Sequence, residues 1–288
     1  MKYIFFGTPR FAEIILERLL RADMPPAALV CNPDRPTGRK KIVTPPLTKR
    51  LVLSRGAEAP RIKIFQPENL DEYSIRELTA LGADCFVVAA YAKIIPKSVL
   101  DLPRLGTIGV HPSLLPKYRG ATPIQSAILN GERETGVTIY QMDEKMDRGS
   151  VLASAKIPID SLEINYPELE ERLAQRSAEL LLETLPGLMA GKLKPHAQDE
   201  AQATYTKKFT TQDGFVDGAN LDKALAGDAE QAEIIIRKIR ALNPEPGCWT
   251  MKNAKRTKLL EAKLSGTHLV LAKIQNEGER ARALQAGS

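Results

Sequence analysis

The 288-residue sequence predicts an α/β fold, with a doubly wound, mostly parallel Rossmann-like sheet followed by a smaller C-terminal β domain. Strand-like and helix-like segments alternate from the first residues to about residue 130. Residues 84–90 form a continuous apolar strand, which is typical of a parallel sheet buried on both faces. From residue 207 onward, short strand-like pieces surround one helix over residues 230–241, which indicates the second domain.

The elements of the first domain follow from local patterns. The strand over residues 2–6 ends at Gly7-Thr8-Pro9, which lacks the G-x-G-x-x-G spacing of a dinucleotide site. The patterns then predict helices over 11–20, 47–55 and 71–81, strands over 27–31 and 62–65, and further strands over 107–110, around Val137 and Ile139, and over 151–159. A long amphipathic helix covers 167–189. Residues 32–46 contain four prolines and one glycine, which predicts a loop without regular structure.

Composition limits the class of protein. The chain is 43% hydrophobic and 26% charged, which is ordinary for a globular protein, and its apolar runs are too short to span a membrane. Its length favours two domains. Cys31, Cys85 and Cys248 are too far apart for metal-ligand spacing, so we expect buried, inert thiols in a reducing cytoplasm.

Positive charge is concentrated in one segment. Residues 35–50 contain six basic side chains and no acidic one, in a chain whose net charge is +6. A solvated surface is the ordinary explanation of such a segment. The alternative is a polyanion bound along a defined track.

The candidate site begins at His111, at the carboxyl end of the strand over 107–110, where open α/β sheets place their ligands. Pro112 and Pro116 stiffen the loop that follows. Asp147 lies in a turn after the next strand, so we expect a His–Asp pair from neighbouring strand ends. Either residue alone would more often be structural.

These two segments carry a resemblance to a known family. The residues are His111-Pro112-Ser113-Leu114-Leu115-Pro116 with Arg119-Gly120, then Gly136-Val137-Thr138 and Asp147-Arg148-Gly149. The chain resembles the 10-formyltetrahydrofolate-dependent formyltransferases, and in particular those that formylate the methionyl amine of initiator tRNA. The resemblance covers nearly the whole chain and thins after about residue 250.

The resemblance implies roles for individual residues. It implies that His111 is the oxyanion donor and proton shuttle, and that Asp147 orients it. The family has an asparagine at the position of Gly109, and this departure removes an amide donor worth about 10²–10³ in rate. Glycine there leaves room for a backbone group or a water to act as substitute donor.

The resemblance also implies binding residues. For 10-formyltetrahydrofolate these are Ser113, Leu114, Leu115 and Pro116, with the loop that begins at Tyr91. For methionyl-initiator tRNA they are Arg35, Arg39, Lys40 and Lys41. No metal ligand and no membrane contact is implied, and we expect a cytoplasmic monomer.

The predicted domains are a catalytic domain over 1–189, a linker over 190–206 and a tRNA-binding domain over 207–288. The last resembles the OB-like β-barrel of the tRNA-dependent members of the family. Two alternatives remain open: a sugar-nucleotide N-formyltransferase, and a catalytically weakened RNA-binding relative, which Gly109 suggests. A metal hydrolase is disfavoured because the other histidines, His196 and His268, fall in the linker and the tail domain.

Overall fold

A computed structural model describes residues 2–38, 40–56, 62–159, 163–252 and 254–284 of the chain. The backbone contacts divide the chain into two compact units. The first comprises Met1–Arg119, Gly136–Ile157 and Glu170–Thr204, and the second comprises Gly120–Thr135, Pro158–Leu169 and Tyr205–Ser288. The contiguous boundaries at 1–189, 190–206 and 207–288 stay a prediction. Most of the segment predicted as a linker, up to Thr204, belongs to the first unit.

The first unit contains a seven-stranded sheet with helices. Its strands are, in spatial order, β10 (Val151–Pro158), β9 (Glu134–Gln141), β7 (Thr107–His111), β6 (Cys85–Ala89), β1 (Tyr3–Phe6), β2 (Ala28–Val30) and β5 (Lys63–Phe65). The five strands from β7 to β5 pair in parallel. Strands β1, β2, β6 and β7 are buried at every residue, which confirms the burial predicted from the continuous apolar run over residues 84–90.

The helices are α1 (Arg10–Arg21), α2 (Leu47–Ser54), α3 (Glu72–Ala80), α4 (Lys97–Leu100), α5 (Pro123–Leu129), α6 (Tyr166–Met189), α7 (Gly218–Leu225) and α8 (Ala229–Leu242). Five of the helices, α1, α2, α3, α6 and α8, begin and end close to the predicted bounds, whereas α4, α5 and α7 had no predicted bounds. Helix α3 begins where Asp71 accepts a hydrogen bond from the backbone N–H of Ser74, which is an N-cap. No helix in the described part of the chain is long and apolar enough to cross a bilayer.

The position of β9 determines the geometry of the site. β9 pairs antiparallel with β7, with Gly109 opposite Tyr140 and His111 opposite Thr138. The carboxyl end of β9 therefore lies at the edge of the sheet opposite that of β7. Residues 142–150 then return the chain to β10, with Gln141 N donating to Ser150 O over 2.8 Å.

The basic segment forms a hairpin, so the prediction of a loop without regular structure is wrong. β3 (Arg35–Thr37) and β4 (Ile42–Thr44) pair antiparallel, with Pro36 opposite Val43. The described strands make a two-stranded sheet of their own. Proline is tolerated there because an edge strand does not need every backbone N–H for pairing.

The second unit is a small antiparallel sheet with helices. Its strands are β12 (Cys248–Lys252), β13 (Lys255–Ser265), β14 (His268–Asn276) and β15 (Arg282–Ala283), in that spatial order. β8 (Arg119–Gly120) and β11 (Tyr205–Thr206) are two-residue strands elsewhere in the chain. Helix α8 packs on β13 and against α5. The predicted fold class is confirmed, although α7 was missed because it has only two turns.

Asn243 ties the end of α8 to this sheet. Its amide donates to Leu259 O and Leu260 O, and its side-chain oxygen accepts from Cys248 N. Asn243 therefore joins the helix to the strands of the second unit.

Candidate active site

His111 is the last residue of β7, and its ring orientation is fixed by a backbone carbonyl. Nε2 lies 2.9 Å from the carbonyl oxygen of Tyr118, in the loop that follows the strand. Because a carbonyl only accepts, Nε2 carries the proton and the neutral imidazole has its lone pair on Nδ1. Tyr118 holds a left-handed backbone with φ of 61°, which is strained for a non-glycine residue.

Asp147 lies beside the other ring nitrogen. Its Oδ2 is 3.7 Å from Nδ1 of His111, which is close enough for charge attraction but too long for a hydrogen bond. The expected pair is therefore present, but Asp147 does not orient the imidazole of this structure through a direct bond. The carbonyl of Tyr118 does so instead.

The route by which the pair forms also differs from the expectation. Because β7 and β9 are antiparallel, their carboxyl ends are not neighbours. Asp147 reaches His111 because the segment over 142–150 brings it to the face of the sheet that His111 shares with Tyr140. Its φ of 51° is again left-handed.

Tyr140 is the residue that the sequence reasoning missed. Its hydroxyl donates to Oδ1 of Asp147 over 2.7 Å, and the side chain is almost fully buried. Burial, followed by the charge of Asp147 and the hydrogen bond to it, raises the pKa of Tyr140 well above its usual value. The phenol is therefore a neutral donor at any working pH.

Gly109 faces Tyr140 across the two strands and has no space for a side chain. A Cβ built at this position would lie 2.4 Å from Cε1 of Tyr140 and 2.7 Å from its hydroxyl oxygen. The expectation that glycine leaves room for a backbone group or a water is therefore wrong, because the phenol ring fills that space. The backbone at Gly109 is not in the left-handed region.

The loop after His111 is held to β9 by its own polar groups. The hydroxyl of Thr138 donates to Ser113 O over 2.7 Å and accepts from Leu115 N over 3.1 Å. The hydroxyl of Ser113 is buried and donates to Lys117 O over 2.6 Å. It is used inside the loop, and the carbonyls of Leu114 and Pro116 also accept backbone hydrogen bonds. The loop therefore presents mainly the half-buried side chains of Leu114, Leu115 and Pro116.

Tyr91 is a core residue in this structure. Its ring packs edge-on against Phe6 at a centroid distance of 5.5 Å. Its hydroxyl is buried and has no hydrogen-bond partner among the described residues. Burial, together with the nearby Cys31, raises the pKa of Tyr91 to about 12. Any ligand contact of this loop is therefore expected from its backbone.

A second group of residues that sequence reasoning missed fixes the backbone around Asp147. The amide of Gln198 donates to Asp147 O over 2.9 Å and to Gly149 O over 2.7 Å. Its oxygen accepts from the guanidinium of Arg119, which is fully buried and also pairs with Glu200 over 2.9 Å. The segment predicted as a linker therefore supports the site, and nothing in its local polar sequence signals this.

The basic hairpin presents only part of its predicted charge. Lys40 and Lys41 are exposed, whereas Arg35 pairs with Glu68 over 2.6 Å. Lys49 pairs with Asp34 over 2.9 Å. Arg39 lies outside the described residues. Of the predicted tRNA-binding cations that the structure describes, Lys40 and Lys41 are therefore the two that are exposed and not in the ion pair to Glu68.

The chemistry of the site comes from its side chains. Within the described ranges, no group of three or more His, Cys, Asp or Glu side chains is arranged to hold a metal ion. A histidine with one ring nitrogen fixed and a carboxylate beside the other, at the carboxyl end of a strand, defines a candidate acid–base site on an α/β sheet.

Comparisons with known proteins identify the family. The family model described as "Formyl transferase" matches residues 1–185, and "Formyl transferase, C-terminal domain" matches residues 229–283. The chain belongs to the formyl transferase family, which confirms the resemblance found in the sequence.

Individual relatives agree with this placement. The chain is 44% identical over 272 residues, 93% of its length, to a protein of Synechococcus sp. (strain JA-3-3Ab) named methionyl-tRNA formyltransferase, of which 79% is covered. In fold it is similar to methionyl-tRNA formyltransferase from Clostridium thermocellum (TM-score 0.60, 15% identity, 99% of this chain and 100% of that one). It is also similar to an N-formyltransferase from Helicobacter canadensis, solved with folinic acid and dTDP-3-aminofucose (TM-score 0.64, 17% identity, 92% and 88%).

Proposed function

We propose that this protein transfers the formyl group of 10-formyltetrahydrofolate to the α-amine of methionyl-initiator tRNA. The observation that carries the proposal is the pairing of His111 with Asp147 over 3.7 Å beside the stiff loop of Ser113–Pro116. The substrate follows from relatives such as the Synechococcus protein, whose name specifies methionyl-tRNA.

The reaction needs one proton carrier between two nitrogens. The amine nitrogen attacks the formyl carbon, and the electron pair of the C=O bond moves to the oxygen. The amine then loses a proton. When the intermediate collapses, the bond from carbon to N10 of the folate breaks, and N10 keeps its electron pair and takes a proton.

Nδ1 of His111 suits this role. It holds the available lone pair because Nε2 is engaged by Tyr118 O. When Nδ1 takes the amine proton, the imidazolium is attracted to the carboxylate of Asp147, and its N–H is available to the developing oxyanion. The same proton is then delivered to N10. Asp147 thus acts as the charge partner of His111.

The binding assignments remain part of the proposal. Folate is placed against Leu114, Leu115, Pro116 and the backbone after Tyr91, and the buried hydroxyls of Ser113 and Tyr91 are not available to it. Charged tRNA is placed against Lys40 and Lys41, with Arg39 and Arg35 as further candidates. Monomeric state and cytoplasmic location belong to the same proposal.

A sugar-nucleotide amine is the competing acceptor, because the Helicobacter canadensis protein has a comparable fold similarity. The basic hairpin and the C-terminal domain match favour tRNA. The test measures transfer of labelled formyl from 10-formyltetrahydrofolate to charged initiator tRNA, with a nucleotide amino-sugar in competition. Label on the tRNA alone supports the proposal, and label on the sugar alone rejects it.

Hydrogen exchange tests the folate site separately. A reduced folate should protect residues 113–116 and 91–95. Protection confined to residues 207–284 would reject the assignment. A protein that binds tRNA but transfers no formyl would instead be the catalytically weakened relative that Gly109 suggested.

A further inference from the structure

The contact between Tyr140 and Asp147 has a consequence for catalysis. Asp147 stands at a left-handed backbone position, and no hydrogen bond joins its carboxylate to His111, because the separation is 3.7 Å. The contact with His111 therefore does not by itself fix the direction of the two carboxylate oxygens. The hydroxyl of Tyr140 binds Oδ1 over 2.7 Å, and this bond turns Oδ2 toward Nδ1 of His111.

We propose that Tyr140 is a positioning residue for formyl transfer, which holds the Asp147 carboxylate against His111, and that Gly109 is required because only a residue without a side chain admits the phenol. The proposal rests on the proposed formyl transfer. It makes Gly109 and Tyr140 one functional pair across β7 and β9.

The phenol is not itself the missing oxyanion donor. A hydroxyl has a single proton, and Tyr140 gives it to Asp147. Donating to the substrate oxygen would release the carboxylate that partners His111. Tyr140, which fills the space beside Gly109, thus fixes the carboxylate of Asp147. The imidazolium of His111 is the hydrogen-bond donor to the oxyanion.

The environment keeps Tyr140 in this role at all working pH values. Its ring is buried in the sheet face, and its pKa is raised by burial and by Asp147. An un-ionised phenol close to a carboxylate makes a charge-assisted hydrogen bond, which is stronger than a neutral one.

The test compares Tyr140→Phe with Tyr3→Phe. Tyr3 is a matched control because it is also buried in the sheet of the first unit, and its hydroxyl also makes one hydrogen bond, to Met24 O over 2.5 Å. We expect Tyr140→Phe to lower kcat about 10- to 100-fold with KM for both substrates within twofold. Tyr3→Phe should keep the kcat of the folded enzyme.

A double-mutant cycle separates positioning from other roles. If Tyr140 acts through Asp147, Tyr140→Phe should not lower kcat any further in an enzyme that already carries Asp147→Ala. Gly109→Ala should lose as much activity as Tyr140→Phe, since its Cβ displaces the ring. In the Tyr140→Ala background, where the ring is gone, Gly109→Ala should be silent.

A Tyr140→Phe enzyme within twofold of the wild type, or additive losses with Asp147→Ala, would overturn the proposal. If the wild type transfers no formyl, the proposed function is rejected, but the positioning role of Tyr140 is not yet tested. Nitrogen NMR of the His111 ring then tests that role. Tyr140→Phe should move the ring resonances and Tyr3→Phe should not. Unmoved resonances in both variants would reject the positioning role.

Discussion

Gly109 and Tyr140 lie opposite each other across β7 and β9, and the Tyr140 ring fills the space of a side chain at position 109. An asparagine at position 109, which the resemblance led us to expect, is incompatible with this ring. Glycine at position 109 therefore goes together with Tyr140. The side chain of an asparagine is absent, and the phenol ring occupies its space.

The first prediction concerns Gly109→Asn. The backbone accepts a side chain here because its φ is not positive, but the new Cβ would overlap the Tyr140 ring. We expect a loss of about 1–3 kcal/mol in the free energy of unfolding and a lower kcat. Gly109→Asn with Tyr140→Ala should recover stability relative to Gly109→Asn alone. Calorimetry and steady-state kinetics measure both, and a stable, fully active Gly109→Asn enzyme would contradict the packing.

The second prediction concerns Gln198. Gln198→Ala removes two hydrogen bonds to the backbone around Asp147, and it leaves the buried guanidinium of Arg119 with one acceptor fewer. We expect kcat to fall roughly 10-fold, with a loss of about 1–3 kcal/mol in stability. Gln202→Ala is the control, because Gln202 is exposed and its amide donates to the side chain of Asp199 over 2.9 Å. If the two variants have the same kcat, Gln198 does not support the site.

The third prediction concerns the basic hairpin. Lys40→Ala with Lys41→Ala should weaken tRNA binding and make its salt dependence shallower, because fewer counterions are released. Folate affinity should stay unchanged. The control pair is Lys192→Ala with Lys194→Ala, which removes the same charge from exposed positions elsewhere. If both pairs bind tRNA alike at every salt concentration, the hairpin is only a solvated surface.

The fourth prediction concerns acid unfolding. The hydrogen bond from Arg119 lowers the pKa of Glu200, and the backbone N–H of Thr210, followed by Lys207, lowers the pKa of Asp213. Carboxyls with a lowered folded-state pKa stabilise the fold above their unfolded pKa of about 4, and this stability is lost as pH falls through the folded values. Thermal unfolding should show a Tm that is steady from about pH 5 upward and falls below about pH 4. Glu200→Gln should make the decrease of Tm with falling pH shallower. An unchanged decrease would contradict the contribution of Glu200.

Much of the fold could be predicted because apolar periodicity and strand-helix alternation are local signals. His111 and Asp147 were predicted as site residues because their flanking motifs are specific, and the structure places them 3.7 Å apart. The partners of these residues could not be found in this way. Tyr140 has the pattern of an ordinary strand residue, and its importance depends on the antiparallel register that sets it opposite Gly109.

Other misses have a similar cause. Gln198 lies in a polar stretch that local composition predicts to be a linker, and only the tertiary fold brings it to Asp147. The hairpin of β3 and β4 was missed because proline breaks a central strand but not an isolated edge.

The most direct measurement compares wild type with His111→Ala in the transfer of labelled formyl from 10-formyltetrahydrofolate to charged initiator tRNA. We predict measurable transfer by the wild type and a rate about 10²–10⁴-fold lower for His111→Ala, with tRNA binding retained. A His111→Ala enzyme as fast as the wild type would contradict the role of the histidine, and so would a wild type that binds tRNA but transfers no formyl above background.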